Sequence, residues 1–406
     1  MEIYMSAALE ATTIRPFTFE FPDSELEELR RRILATRWPE KETVADQSQG
    51  TQLATIKELA RYWAEEYDWR KVEARLKAVP HFITEIDGLD IHFIHVRSKH
   101  ENALPLIVTH GWPGSIIEQL KLIEPLTDPE AHGGSAEDAF HVVIPSMPGY
   151  GFSGKPTSTG WNPDRMARAW GELMKRLGYT KYAAQGGDWG AIVTDLMGVQ
   201  EPEGLVGIHT NMAGVVPPAI EAAIAAGNPL PSDAVLANDE EKAAVGQLNF
   251  VYRHVAYAYM MGSRPQSLTA FADSPVGLAA FMLDHDRDSL DLISRAFAGQ
   301  NEGLTRDDVL DNITLFWLTN TGVSASRLYW ENTVASIPFF GVKGVKLPVA
   351  VSVFPDELYQ APKSWAEQAY PNLIHYNRLP KGGHFAAWEQ TELFVNEVRT
   401  GLRSLR

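Results

Sequence analysis

Apolar positions in the first 80 residues recur at helical steps. Leu26, Leu29, Ile33, Leu34 and Trp38 form one such series, Ser24 and Glu27 have the spacing of a capping box, and Pro39 predicts the helix end. Leu53, Ile56, Ala60, Trp63 and Tyr67 form a second amphipathic series. At His81 the period shortens: 82–86 and 89–96 are strand-like runs joined at Asp87-Gly88, a hairpin signal. Apolar runs at 104–109, 140–144, 182–184, 205–208, 347–353 and 373–376 then alternate with helical stretches. That rhythm predicts an α/β fold, a mostly parallel sheet with helices on both faces. From about 215 to 335 no strand pattern is present, and the Ala-, Leu-, Asp- and Asn-rich chain reads as helical. Such an insertion can cover the C-terminal edge of the sheet, where open α/β sheets place ligands. The expected organisation is an N-terminal helical segment (1–80), a first core part (81–215), a helical lid (216–335) and a second core part (336–406).

Composition narrows the chemistry. Of 406 residues, 45% are hydrophobic and 22% charged, enough to build a sizeable core. With 36 Lys and Arg against 52 Asp and Glu, the net charge of −16 offers no footprint for phosphate backbones or anionic membranes. The absence of Cys excludes disulfides, thiolate nucleophiles and Cys-type zinc or iron–sulfur sites. No apolar run reaches a membrane span of about 18 residues. The opening Met-Glu-Ile-Tyr-Met-Ser has no basic and apolar signal pattern. A cytoplasmic protein without nucleic-acid or membrane partners is therefore expected.

The strongest chemical feature is Gly186-Gly187-Asp188-Trp189-Gly190, between the run 182–184 and a helical stretch. Small residues around a central side chain describe a nucleophile elbow, with Asp where Ser is more usual. An aspartate needs no base to attack. Attack at an sp³ carbon leaves an alkyl ester, so a histidine would be needed later, to activate water against that ester. Alone, an Asp after a glycine turn reads as readily as a helix cap. The companions in chain order change the weight. His110-Gly111-Trp112-Pro113-Gly114-Ser115 follows the run 104–109 and can supply an oxyanion-hole N–H from Trp112, beside that of Trp189. Phe354-Pro355-Asp356-Glu357 closes the run 347–353 with two carboxylates, either able to orient a histidine, and Gly382-Gly383-His384-Phe385 follows the run 373–376.

Three decoys fail on detail. Residues 149–155 resemble a phosphate-binding loop, but Pro156 stands where Ser or Thr should ligate magnesium. His92 and His95 project to opposite faces of a strand and chelate poorly, and the remaining histidines are scattered, so no metal site is expected. Ser153 lacks the flanks of an elbow serine.

On these residues the chain resembles the microsomal-type epoxide hydrolases of the α/β-hydrolase superfamily, in particular the soluble microbial members. Ile14-Arg15-Pro16-Phe17 and Thr36-Arg37-Trp38-Pro39 are similar to the family's N-terminal region, and the segments 110–115, 186–190 and 382–387 to its oxyanion, nucleophile and histidine motifs. The resemblance implies Asp188 as nucleophile, His384 as general base and Glu357, second after Phe354-Pro355, as the acid that orients it. It further implies two proton-donating lid tyrosines: Tyr257, eight residues before Pro265, and Tyr329, within Arg327-Leu328-Tyr329-Trp330-Glu331-Asn332. The implied reaction turns an epoxide and water into a vicinal diol through an aspartyl ester, with no cofactor. The N-terminal segment is compatible with a homodimer. Rival readings are a haloalkane or haloacid dehalogenase with the same Asp–His chemistry, and a ligand receptor on a hydrolase scaffold. Side-by-side halide-release and diol assays separate the first from the hydrolase. A receptor could dispense with part of the triad.

Overall fold

A computed structural model describes residues 13–406; the opening segment read above for a signal lies outside them. Nine strands form one sheet in the order β1-β2-β3-β5-β4-β6-β7-β8-β9. They are β1 (Arg15–Pro16), β2 (His81–Ile86), β3 (Leu89–Val96), β4 (Leu104–Thr109), β5 (Phe140–Pro145), β6 (Tyr182–Gly186), β7 (Leu205–Thr210), β8 (Val349–Val353) and β9 (Leu373–Arg378). The pairs from β5 through β4, β6, β7 and β8 to β9 are parallel, while β1, β2, β3 and β5 pair antiparallel. Every residue of β4, β5, β6 and β8 is buried, which explains their continuous rather than alternating apolar runs. The β2–β3 turn has Asp87 and Gly88 at φ 52° and 77°, the left-handed pair that makes Asp-Gly suitable for a tight hairpin.

The N-terminal segment departs from its sequence pattern. Its first helix is Asp23–Leu34, started by extended Pro22 without a side-chain cap. Ser24 thus lies inside the helix, and the expected capping box does not form. Asp23 and Glu25 in the first turn favour the helix dipole instead. The helix stops before Pro39, and Leu34 is 72% exposed. The second helix, Leu53–Glu65, buries Leu59, Ala60 and Trp63, with Tyr67 just beyond it. A third, Trp69–Lys77, is capped by the Asp68 side chain, which accepts from the Arg70 N–H.

Between β7 and β8 the chain is helical, including Pro218–Ala225, Asp239–His254, Ala256–Ser263, Pro275–Leu283, Arg287–Phe297, Arg306–Leu318 and Gly322–Ala335. Among the described residues, its one sheet-like feature is the isolated bridge Val216–Gly341. The N-terminal segment is tied to this insertion. Trp63 Nε1 donates to Thr314 Oγ1 at 3.0 Å, Tyr67 O–H to Asp311 at 2.8 Å and Tyr62 O–H to Asp307 at 2.7 Å.

Candidate active site

Asp188 stands between β6 and the helix Trp189–Gln200 at φ 51°, ψ −128°, a conformation that an L side chain rarely adopts. Its neighbours must be small. A Cβ on Gly190 would come within 2.0 Å of the Thr109 carbonyl oxygen, and one on Gly186 within 2.0 Å of the Gly190 carbonyl oxygen. The Asp188 carboxylate is buried at 4% exposure, and its Oδ1 accepts from the Trp112 N–H at 2.7 Å. Gly111 permits that contact, since a Cβ there would meet Oδ1 at 2.3 Å. Trp189 opens the following helix, so its amide is among the first N–H groups without an intrahelical acceptor.

His384 approaches from the loop after β9. Its Nε2 is 3.8 Å from Asp188 Oδ2, and its Nδ1 is 2.6 Å from Glu357 Oε1. Glu357 is buried, and its Oε1 also accepts from the Leu358 N–H; Asp356 faces solvent. Burial alone would push the His384 imidazolium down. The Glu357 charge and hydrogen bond, with the charges of Asp188 and Asp286, override it and hold the ring up at about 10.

The helical insertion faces this triad with Tyr257 and Tyr329, 6% and 7% exposed. The Tyr257 ring packs on Trp112 with centroids 4.7 Å apart, and Tyr329 sits edge-on to Trp189 at 4.7 Å. The two phenols meet nearly perpendicularly at 6.0 Å. Burial first, and the Asp188 charge as well, push both hydroxyls well above the usual phenol range, so both hold their protons at neutral pH. All seven residues singled out in the sequence thus lie in one buried cluster.

The fold also gathers groups that sequence reasoning missed. Glu118, on the helix Ile116–Thr127, lines the same cavity, and desolvation, opposed by His384 and reinforced by Asp188, pushes it up to about 8. Asn312 on the insertion helix Arg306–Leu318 accepts from Ser115 Oγ at 2.7 Å and donates to the Pro113 carbonyl at 2.7 Å, fixing the loop that carries Trp112. His285 corrects the view that the remaining histidines are scattered. Its ring lies 4.1 Å from that of His384, and Asp188, His285 and His384 each bring one possible ligand atom into a group within 4.8 Å, close enough to hold a cation. Nearer the surface, His100, Asp128 and Glu130 likewise bring three possible ligand atoms within 4.8 Å of one another. Only the adjacent Asp286 hinted at an oriented imidazole, because helical context gives no strand end to mark His285. His92 and His95 are structural: His92 bonds His81 and Ser146, and His95 bonds Tyr179. The 149–155 loop is likewise a packing turn, in which Ser153 Oγ donates to the Ser146 carbonyl and Lys155 to that of Thr319.

Residues 14–119 match the family profile of the epoxide hydrolase N terminus, and 105–239 that of the alpha/beta hydrolase fold. A Stigmatella aurantiaca protein described as a candidate epoxide hydrolase is 51% identical over 97% of this chain and 86% of its own length. Epoxide hydrolase 1 of Oryctolagus cuniculus is 35% identical over 96% and 89%. The crystal structure of juvenile hormone epoxide hydrolase from the silkworm Bombyx mori superimposes with a TM-score of 0.84 at 30% identity, covering 97% of this chain and 95% of that one. Among the described residues no helix is long and apolar enough to cross a membrane. With an elbow aspartate, a glutamate-bound histidine and relatives of that name matched over at least 96% of the chain, the chain belongs to the epoxide hydrolase family of the α/β-hydrolase fold.

Proposed function

We propose that the enzyme opens epoxides to vicinal diols through a covalent ester on Asp188, beneath a lid formed by the helices between β7 and β8. The observation that carries this reading is the opposition of one carboxylate to two buried phenols. Asp188 has one oxygen fixed by the Trp112 N–H, which leaves Oδ2, on the His384 side, to attack a ring carbon. The departing alkoxide is a poor leaving group, and a protonated phenol from Tyr257 or Tyr329 supplies its proton. Ester formation consumes the Asp188 charge, one of the influences that keep His384 protonated. The imidazolium then passes its proton to the phenolate and becomes the neutral base for the second step. Water attacks the ester carbonyl, and the N–H groups of Trp112 and Trp189 hold the oxyanion.

The aromatic enclosure of Trp112, Trp189, Tyr257, Tyr329, Phe281 and Phe385 suits an apolar epoxide. A panel of styrene-type, cyclic and juvenile-hormone-like epoxides, with chiral product analysis, defines the substrate. The buried phenols favour an epoxide over a halide, which leaves without a proton. Single turnover in ¹⁸O-labelled water tests the chemistry: the first diol should carry unlabelled oxygen from Asp188. Label in that first diol would show direct attack by water.

A further inference from the structure

His285 lies beside His384 and takes part in none of these steps. It follows the helix Pro275–Leu283 and is 3% exposed. Its ring packs on Tyr257 with centroids 5.1 Å apart at 26°, and on His384 at 4.1 Å and 34°. Its Nδ1 is 2.8 Å from Asp286 Oδ2, while Asp286 Oδ1 accepts from the Ser289 N–H at 2.8 Å and caps the helix Arg287–Phe297. The acid is therefore pinned at both oxygens, and it holds His285 as Glu357 holds His384. Burial would raise the Asp286 carboxyl, but the His285 hydrogen bond leads the effects that draw it down to about 2. An ionised carboxylate only accepts, so Nδ1 carries the hydrogen, and Nε2 is the ring nitrogen left for another partner. That Nε2 is buried with no partner, which asks for an explanation.

The group formed by Asp188, His285 and His384 spans no more than 4.8 Å between ligand atoms. A water that donates to two acceptors at about 2.8 Å each, with its O–H bonds about 105° apart, spans about 4.4 Å, comparable with this separation. Resting on the aspartyl-ester reading above, we propose that His285 is a further catalytic residue. Its Nε2 accepts one O–H of the hydrolytic water while His384 accepts the other, which turns an oxygen lone pair onto the ester carbon of Asp188. The water oxygen bonds to that carbon and its proton passes to His384, whereas the proton held by His285 stays on oxygen. When the tetrahedral intermediate collapses, the bond from the acyl carbon to the alkyl oxygen breaks and the diol alkoxide recovers the proton from His384. The regenerated Asp188 carboxyl then loses its remaining proton to His384, which restores the resting pair.

The test is rapid-quench single turnover of styrene oxide, with the Asp188 ester followed by intact-protein mass, in wild type, His285→Phe and His285→Gln. Phenylalanine keeps the stacked ring and removes the acceptor; glutamine keeps an acceptor. In His285→Phe the hydrolysis constant should fall at least tenfold and ester should accumulate, while alkylation falls no more than twofold; His285→Gln should recover part of the loss. Hydrolysis within twofold of wild type in His285→Phe, or equal loss of both steps in both variants, overturns the proposal. His384→Gln is run in parallel. If it forms no ester, the aspartyl-ester reading falls and this proposal with it, an outcome distinct from normal ester formation with unaffected hydrolysis.

Discussion

Asp188 holds its left-handed backbone at a cost of about 1–3 kcal/mol, and the surrounding glycines make that geometry possible. Two of them should not tolerate alanine. The added Cβ of Gly190→Ala meets backbone, the Thr109 carbonyl at 2.0 Å, so the elbow itself must shift and the protein should lose thermal stability. In Gly111→Ala the added Cβ meets Asp188 Oδ1 at 2.3 Å and Asp188 Cβ at 2.4 Å; side-chain rotation relieves only the first, so backbone must shift there as well. That variant should also lose thermal stability and should alkylate at least about 100-fold more slowly, because the Trp112 N–H no longer aligns the proposed nucleophile. Melting curves and ester-formation rates check both; a Gly111→Ala enzyme of normal rate would contradict the assignment. The proton on His384 gives a second expectation. Glu357 is the largest of the influences that lift His384 to about 10, so Glu357→Gln should move its titration downward in histidine NMR. A raised folded value stabilises fully below the ordinary 6.5 and loses that contribution as pH climbs through about 10. Stability lost by wild type between those values should therefore be reduced in Glu357→Gln. An unchanged slope would argue against the pair.

Elements whose residues carry a local signal were legible from sequence, and those fixed by distant partners were not. The central parallel strands stood out because they are buried on both faces, and the Asp87-Gly88 hairpin because its turn requires positive φ. The Asp188, His384 and Trp112 motifs each follow a strand, where turn chemistry leaves a trace. The capping box at Ser24 failed because Pro22 starts that helix two residues earlier than the motif implies. Tyr257 and Tyr329 sit on helices whose periodicity says only which face is buried, and His285 sits in a bend between two helices, so family resemblance was needed for the tyrosines and only the adjacent Asp286 hinted at the histidine. Asn312 illustrates the same limit: its partners Pro113 and Ser115 are almost 200 residues away, at sequence separations of 199 and 197. Asn312→Leu keeps the volume and removes both bonds. It should cost about 1–3 kcal/mol in chemical denaturation, because the Pro113 carbonyl is left buried and unpaired. Slowed ester formation should accompany it, since Pro113 adjoins the Trp112 donor; a stability loss with normal ester formation would confine Asn312 to packing.

At the scale of the whole molecule, the N-terminal segment contacts both the sheet and the helical insertion. β1 adds to the sheet edge, while Tyr62, Trp63 and Tyr67 reach the helix Arg306–Leu318, which also carries Asn312. Asp311 is the sensitive point of that seam. Burial pushes its carboxyl up to about 7, against the Tyr67 hydrogen bond and the Arg75 charge, 3.6 Å away. The folded protein thus retains a proton there between the ordinary 3.8 and about 7, where the unfolded chain has lost it. Stability from this group is complete below the lower value and is lost as pH rises through the upper one. Asp311→Asn keeps an oxygen for the Tyr67 hydroxyl and removes the buried charge. The melting temperature of the variant relative to wild type should therefore be more favourable at pH 8 than at pH 5. An offset that is equal at both pH values, or less favourable at pH 8, would mean that the Arg75 pair outweighs desolvation. The seam would then be held by charge rather than by the tyrosine and tryptophan contacts around it.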